Sequence, residues 1–384
     1  MVHDLSRVAV ELSRVTDWSR LVVPAVSALE PLDVEQTVTD VVTLAAHGDG
    51  LKLDWNENLF GPLPGVREAV SDALETVWQY PIAPYGQFRT EVARAVGTTP
   101  GRIAPGHGTQ ALIGTVASTF LRPGDAVVLP EFTFYLYAQV SAARGANLHR
   151  VPMRELRIDL DGVARTAHQV GARLVWICDP NNPTGLRLDP KEWSAFLDSL
   201  PSDCVVVADE AYVDYLPLEG RAPRVAEVES GQPLVVLRSF SKFFGLAGLR
   251  LGYAVADEAL VGHLAVVEEP FNVNCAALAA GVASLRATEA AARRREEITE
   301  ARDTLAEALR AAGADPYPSE TNFVLARIDG DDRLVAAELA RRGILVRPGW
   351  ELGLARHLRV AVGPSHLGDR VTADLRAALA AVQG

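Results

Sequence analysis

The stretch 239–253, SFSKFFGLAGLRLGY, sets two hydroxyls, an amine and a guanidinium close together: Ser239, Ser241, Lys242 and Arg250. Hydroxyls, a guanidinium and amides freed by glycine are the donors that a phosphate group needs. An amine beside such a cradle suits a lysine that holds an aldehyde cofactor as a Schiff base. A lysine on a loop is otherwise usually a solvated surface residue. The assignment therefore depends on what the rest of the chain supplies.

Several other clusters carry chemistry. Residues 106–110, GHGTQ, precede an apolar run over 111–120 that reads as a helix. Small residues ahead of a helix leave its first amides free, and a helix N-terminus favours an anion. Residues 179–185, DPNNPTG, follow an unbroken apolar strand over 173–178. Two prolines and a glycine stiffen this loop, so it can place one amide side chain at little entropic cost. Asp209-Glu210-Ala211-Tyr212 follows another apolar strand, at the carboxyl end where ligands bind in open α/β sheets. Residues 357–363 alternate polar and apolar positions around Arg359.

The elements that must position these residues are short, β-branched runs over 125–130, 173–178, 204–208 and 233–238, which read as buried strands. Helices are expected over 66–78, 111–120 and 286–312, the last ended by Gly313. Alternating strands and helices predict an α/β fold with a mostly parallel sheet. Further strands are expected over 319–325 and 343–347. Before residue 50, Val8, Leu12 and Val15 fit one helical face, and Pro24 and Pro31 interrupt any long element. The chain of 384 residues is long enough for more than one domain, with 48% hydrophobic and 22% charged residues. Its net charge of −12 argues against nonspecific nucleic-acid or anionic-membrane binding. Cys178, Cys204 and Cys275 show no metal spacing, so no metal is expected and a reducing cytoplasm is the expected setting. The first twenty residues lack the apolar core of a signal peptide or membrane span.

Taken in order, these motifs resemble pyridoxal-phosphate-dependent aminotransferases of fold type I, in particular the histidinol-phosphate aminotransferase group. The resemblance covers roughly residues 50–384 and implies a homodimer with shared active sites. It implies an N-terminal extension (1–50) packed on the small domain, a large cofactor-binding domain (51–280) and a small C-terminal domain (281–384). Lys242 would hold pyridoxal 5′-phosphate and shuttle the proton, Asp209 would face the ring nitrogen, and Tyr212 and Asn182 would bond the ring oxygen. Gly108, Thr109, Gln110, Ser239, Ser241 and Arg250 would cradle the phosphate, and Tyr80 would reach it in the neighbouring subunit. Phe132, with Tyr135 next in line, would stack on the ring. Arg359 and Arg347 would bind the substrate's carboxylate or phosphate, and Asn58, in the segment DWNENLFGP, would line the mouth.

The substrate implied is an amino acid or amino alcohol phosphate, with a 2-oxo acid as acceptor. Two departures stand out: Leu59 replaces a common proline, and the stretch 28–35, ALEPLDVE, has no tyrosine where the group carries one for substrate phosphate. An aromatic or specialised-pathway aminotransferase, or a phospho-amino-acid decarboxylase on the same fold, therefore remains open. A transcription regulator would need a basic DNA-binding domain ahead of residue 50, which this stretch does not provide.

Overall fold

The buried runs meet in one sheet whose carboxyl edge carries most of the candidate residues. The computed structural model describes residues 21–30, 48, 50–82, 85–217 and 223–383. In chain order its first strands are β1 (Leu51–Lys52), β2 (Ile103–Gly106), β3 (Ala126–Pro130), β4 (Asn147–Val151), β5 (Leu174–Cys178), β6 (Val205–Asp209), β7 (Leu234–Ser239) and β8 (Gly252–Val255). The later strands are β9 (Asp315–Pro316), β10 (Phe323–Arg327), β11 (Ile344–Leu345), β12 (Arg347–Pro348) and β13 (His357–Ala361).

Seven strands form the large sheet in the order β2-β8-β7-β6-β5-β3-β4. All its pairings are parallel except those of β8, which runs against both β2 and β7. Every residue of β5, β6 and β7 is buried. That is the state of strands covered on both faces, and it explains their unbroken Val, Ile and Leu runs. Register sets the site: Asp209 pairs with Cys178 and Leu237, while Ser239 and Gly106 both pair with Gly252.

Four antiparallel strands, β12-β13-β10-β9, make a second sheet in the C-terminal third. β1 pairs in parallel with β11, and the amide of Ala361 donates to the carbonyl of Leu53 at 2.9 Å. The chain from Leu51 is thus laid on the small unit before it enters the large one, so the expected boundary at 51 does not coincide with the change of unit. The other boundary differs too. Residue 281 lies inside the helix Cys275–Arg286, which packs on the large-unit helices Val66–Leu74 and Gly86–Val96.

The helix expected over 286–312 runs over Thr288–Ala311; the helix Cys275–Arg286 ahead of it, separated by Ala287 (φ −80°, ψ 48°), is not among the expected elements. The strand expected over 319–325 begins only at Phe323, because the Ser319 and Thr321 hydroxyls both donate to the Phe323 carbonyl and curl the preceding residues. The helix expected over 66–78 ends at Leu74. The helical face of Val8, Leu12 and Val15 lies outside the described residues. Within the described part of the extension, the short helix Pro24–Ser27 packs on the large-unit helix Leu136–Ala143.

Close packing of the helix Cys275–Arg286 makes a clear stability test. A Cβ at Gly281 would stand 2.6 Å from Leu251 Cδ2 and 2.6 Å from Phe88 Cε2, both side chains being buried. Gly281→Val should destabilise the fold by about 1–3 kcal/mol through overpacking, read as a lower denaturant midpoint; an unchanged midpoint would show that Leu251 and Phe88 yield there.

Candidate active site

Lys242 sits just past β7 in a turn fixed by its aromatic neighbours. Phe240, Phe243 and Phe244 are buried, with ring centroids 4.8 Å (240–244) and 5.2 Å (243–244) apart. Gly245 adopts φ +69°, and a Cβ there would lie 2.7 Å from the Gly61 backbone, so only glycine fits. The Lys242 Nζ donates to the Trp55 carbonyl at 2.9 Å and the Asn56 carbonyl at 3.3 Å. Burial, aided by the nearby Arg359 guanidinium, pulls its pKa from the ordinary lysine value down to about 7. The other lysines of the sequence are Lys52 and Lys191. Lys52 is paired to Asp54 (2.9 Å) and Glu57 (2.7 Å), and Lys191 is exposed on a surface helix.

Asp209 ends β6, one strand over from Lys242's β7. It is buried, and burial raises its pKa to about 6 although hydrogen bonds oppose the rise. Those bonds come from the phenol of Tyr137 to Oδ2 (2.7 Å) and the amide of Ala211 to Oδ1 (3.0 Å). Tyr212, also buried, accepts at its hydroxyl from Asn56 Nδ2 at 3.0 Å.

Three strand ends are tied together by a buried set of charges. Arg224 donates to Asp179 Oδ2 and, at 2.8 Å, to Glu210 Oε1; Arg238 Nε donates to Glu210 Oε2 at 2.8 Å. Asp179 follows β5, Glu210 follows β6 and Arg238 lies in β7. Burial alone would lower the pKa of each guanidinium, and the facing carboxylates lift it above the ordinary value. Sequence reasoning missed Tyr137, Arg224 and Arg238. No local signal marks Tyr137 or Arg224, since a tyrosine in an apolar helix and an arginine on a short polar one are ordinary, and Arg238 reads as the polar end of an apolar strand.

The phosphate candidates gather where β2, β7 and β8 meet. The helix Gly108–Phe120 begins earlier than expected, and no side chain caps its N-terminus. Gly108 has φ +74°, and a Cβ on it would stand 2.8 Å from an Arg250 guanidinium nitrogen. A Cβ on Gly252 would stand 2.8 Å from the Thr109 amide. Arg250 donates to Gln110 Oε1 at 3.3 Å, and Ser239 Oγ accepts from the Ser241 amide at 3.0 Å. Amides, hydroxyls and a guanidinium thus gather where glycines let the backbone segments approach, which is the donor set of an anion cradle.

At the mouth, Arg359 crosses from β13 to donate to Asn182 Oδ1 at 2.7 Å and to the Asp54 carbonyl at 2.6 Å. Its buried Nε has no partner, nor has the buried Oδ1 of Asn56. Asn181, missed from sequence, donates to the Phe132 carbonyl (2.9 Å) and accepts from Thr133 (3.0 Å), fixing the backbone that carries the Phe132 ring. Arg347 pairs with Glu351 at 2.8 Å. Asn58 is committed to the backbone, donating to the Phe243 carbonyl at 2.7 Å and accepting from the Phe60 amide. Tyr135 is half exposed, edge-on to Phe134. Tyr80 is not gathered with these groups: it is 79% exposed and stacks on Phe271 at 4.9 Å.

A family model described as aminotransferase class I and II matches residues 48–373. The chain belongs to that family and is an aminotransferase. Among its relatives, the histidinol-phosphate aminotransferase of Halalkalibacterium halodurans is 34% identical over 357 residues, covering 93% of this chain and 96% of the relative. The histidinol-phosphate aminotransferase 1 of Dechloromonas aromatica is 37% identical over 331 residues, covering 86% and 90%. The crystal structure of the Sinorhizobium meliloti histidinol-phosphate aminotransferase, solved with pyridoxal-5′-phosphate, superposes with a TM-score of 0.86 at 27% identity, covering 93% of this chain and 97% of that one. Among the described residues no helix is long and apolar enough to cross a membrane.

Two measurements check the electrostatics. In the unfolded chain Lys242 titrates near 10.4, against about 7 in the fold. Between those values the unfolded state holds the extra proton, so this group makes stability rise with pH from about 7 to about 10. Cofactor-free Lys242→Met should gain most over the wild type below pH 7 and lose that gain above about pH 10; a pH-independent difference in denaturant midpoint would contradict the shift. Arg224→Met leaves Asp179 buried without its guanidinium and should cost about 3–5 kcal/mol, checked by urea unfolding.

Proposed function

We propose that this aminotransferase uses pyridoxal 5′-phosphate, bound through Lys242, to move an amino group from a histidinol-phosphate-like amino alcohol phosphate to a 2-oxo acid. The observation that carries the reading is one pair of groups at the ends of adjacent strands. A lysine amine with a pKa of about 7 and a buried carboxylate with a pKa of about 6 stand beside a glycine-lined anion cradle. The donor set fits the cofactor: Thr109, Gln110, Ser239, Ser241 and Arg250 for its phosphate, Phe132 for its ring face, Tyr212 and Asn182 for its ring oxygen. When bound, the cofactor supplies an aldehyde for amine capture and a ring that withdraws electrons.

The chain's own residues do the rest. With a pKa of about 7, the Lys242 amine is substantially neutral at neutral pH, so it can take a proton from the substrate carbon and return it. Asp209, ionised above about pH 6, would pair with a protonated ring nitrogen and hold its charge. Arg359 has one unsatisfied buried nitrogen for an incoming anion, and Asn56 has one unsatisfied acceptor at the same mouth.

One observation favours a second donor class. Glu351 already pairs with Arg347, the guanidinium that the resemblance assigns to a distal phosphate. An aromatic amino acid needs only a carboxylate contact at Arg359 and no such phosphate contact. The reading also includes a homodimer. The exposed apolar side chains Val77, Trp78, Tyr80 and Ile82, with Phe271 beneath Tyr80, support pairing with a second copy whose cofactor phosphate Tyr80 reaches. A reducing cytoplasm suits the three free cysteines.

A donor screen on protein loaded with pyridoxal 5′-phosphate tests this reading. Histidinol phosphate should change the visible absorbance fastest, with phenylalanine slower, and a 2-oxo acid should restore it. Lys242→Ala should lose at least the 10²–10⁴-fold that general acid–base catalysis typically supplies. Full turnover in that variant, or carbon dioxide released without a transferred amino group, would refute the proposal.

A further inference from the structure

Asp209 has one partner that the proposed mechanism leaves unused. Tyr137 lies on the helix Leu136–Ala143 and is completely buried, and its phenol donates to Asp209 Oδ2 at 2.7 Å. The ring is held on two sides. It stacks on Trp176 of β5 with centroids 5.0 Å apart and planes 4° from parallel, and Phe134 meets it edge-on at 5.5 Å. Trp176 is itself fixed, since its Nε1 donates at 3.2 Å to Ser141 Oγ on the same helix as Tyr137. Packing alone would be served as well by phenylalanine. A buried hydroxyl is costly unless it is hydrogen-bonded, and this one is spent on the carboxylate that ends β6.

We infer that Tyr137 is a positioning residue, which fixes Asp209 Oδ2 and holds that carboxylate ionised for pairing with the ring nitrogen of the cofactor. The inference rests on the reading that the site binds pyridoxal 5′-phosphate. Besides Tyr137, the titratable groups that act on Asp209 are Glu210 beside it on the chain and Lys242 past β7. Cys178 of β5 and Tyr212 feel its charge as well. Of these, Tyr137 is the side chain that donates a hydrogen bond to the carboxylate. Burial and the neighbouring Asp209 charge keep the phenol itself protonated at any working pH, so it acts as a fixed donor and not as a proton carrier. With the Ala211 amide on Oδ1, both carboxylate oxygens are held from the protein side. The plane of the carboxylate is thereby set before any ligand arrives, which lowers the cost of ordering it on binding.

The test compares two ligands on cofactor-free protein: pyridoxal 5′-phosphate and its 1-deaza analogue, in which a C–H replaces the ring nitrogen. Equilibrium affinities come from absorbance titration and need no turnover. Tyr137→Phe keeps the stacked ring and removes only the donor. It should weaken pyridoxal 5′-phosphate about tenfold, the scale of one hydrogen bond to a charged group, while the deaza analogue changes less than twofold. In an Asp209→Asn background the same substitution should change neither ligand by as much as twofold. Equal weakening of both ligands, or no weakening of either, would overturn the inference and leave Tyr137 a packing residue. If Tyr137→Phe does not fold, Tyr137→Met, a donorless filler of different shape, must show the same dependence on the ring nitrogen. Wild-type protein that binds neither ligand would instead overturn the cofactor reading beneath the inference.

Discussion

Removing two opposite charges from water at the ends of neighbouring strands is the constraint on which the rest depends. Desolvation brings an amine and a carboxylic acid that normally titrate far apart to values near neutrality, with Lys242 at about 7 and Asp209 at about 6. Neither group is held by one strong bond. Lys242 rests on two backbone carbonyls of the segment that the small unit presents, and Asp209 on a phenol and an amide. The two units therefore share the site. Asn322 beside β10 donates to the Asn56 carbonyl at 2.9 Å, and Arg359 of β13 reaches Asn182 after β5.

Buried polar groups of this kind persist only where the surroundings over-determine them. Here the surroundings are a fully buried parallel sheet and the Arg224–Asp179–Glu210–Arg238 set that fastens β5, β6 and β7 at their carboxyl ends. Its charges balance, two guanidiniums against two carboxylates, so the sheet edge carries a rigid polar frame without a net buried charge. The open side of that edge is kept by absence of side chain. Gly108 and Gly252 leave the space into which Arg250 and the Thr109 amide point.

Much of this was legible in the sequence because the motifs are local. The phosphate donors, Lys242, Asp209 and Asn182 each lie within a few residues of a strand end, and strand ends are visible as apolar runs interrupted by Gly, Pro or Asp. What escaped detection depends on contacts made across long sequence separations. Tyr137 and Asp209 are 72 residues apart, Arg224 and Asp179 are 45 apart, and Asn58 reaches the Phe243 carbonyl across 185. Asn58 reads as a mouth residue, and the structure spends it on holding the turn beside Lys242. The entry of the chain through the small unit follows from a two-residue pairing, β1 with β11, too short to show as a pattern.

The central claim is that one amine among the three lysines of the sequence is desolvated and aimed at a cofactor aldehyde. Reducing the pyridoxal-phosphate-loaded protein with borohydride and mapping the label by peptide mass spectrometry tests it directly. The account predicts stoichiometric label on the peptide that contains Lys242 and none on Lys52 or Lys191. Label on either of those lysines, or none on any, would contradict it.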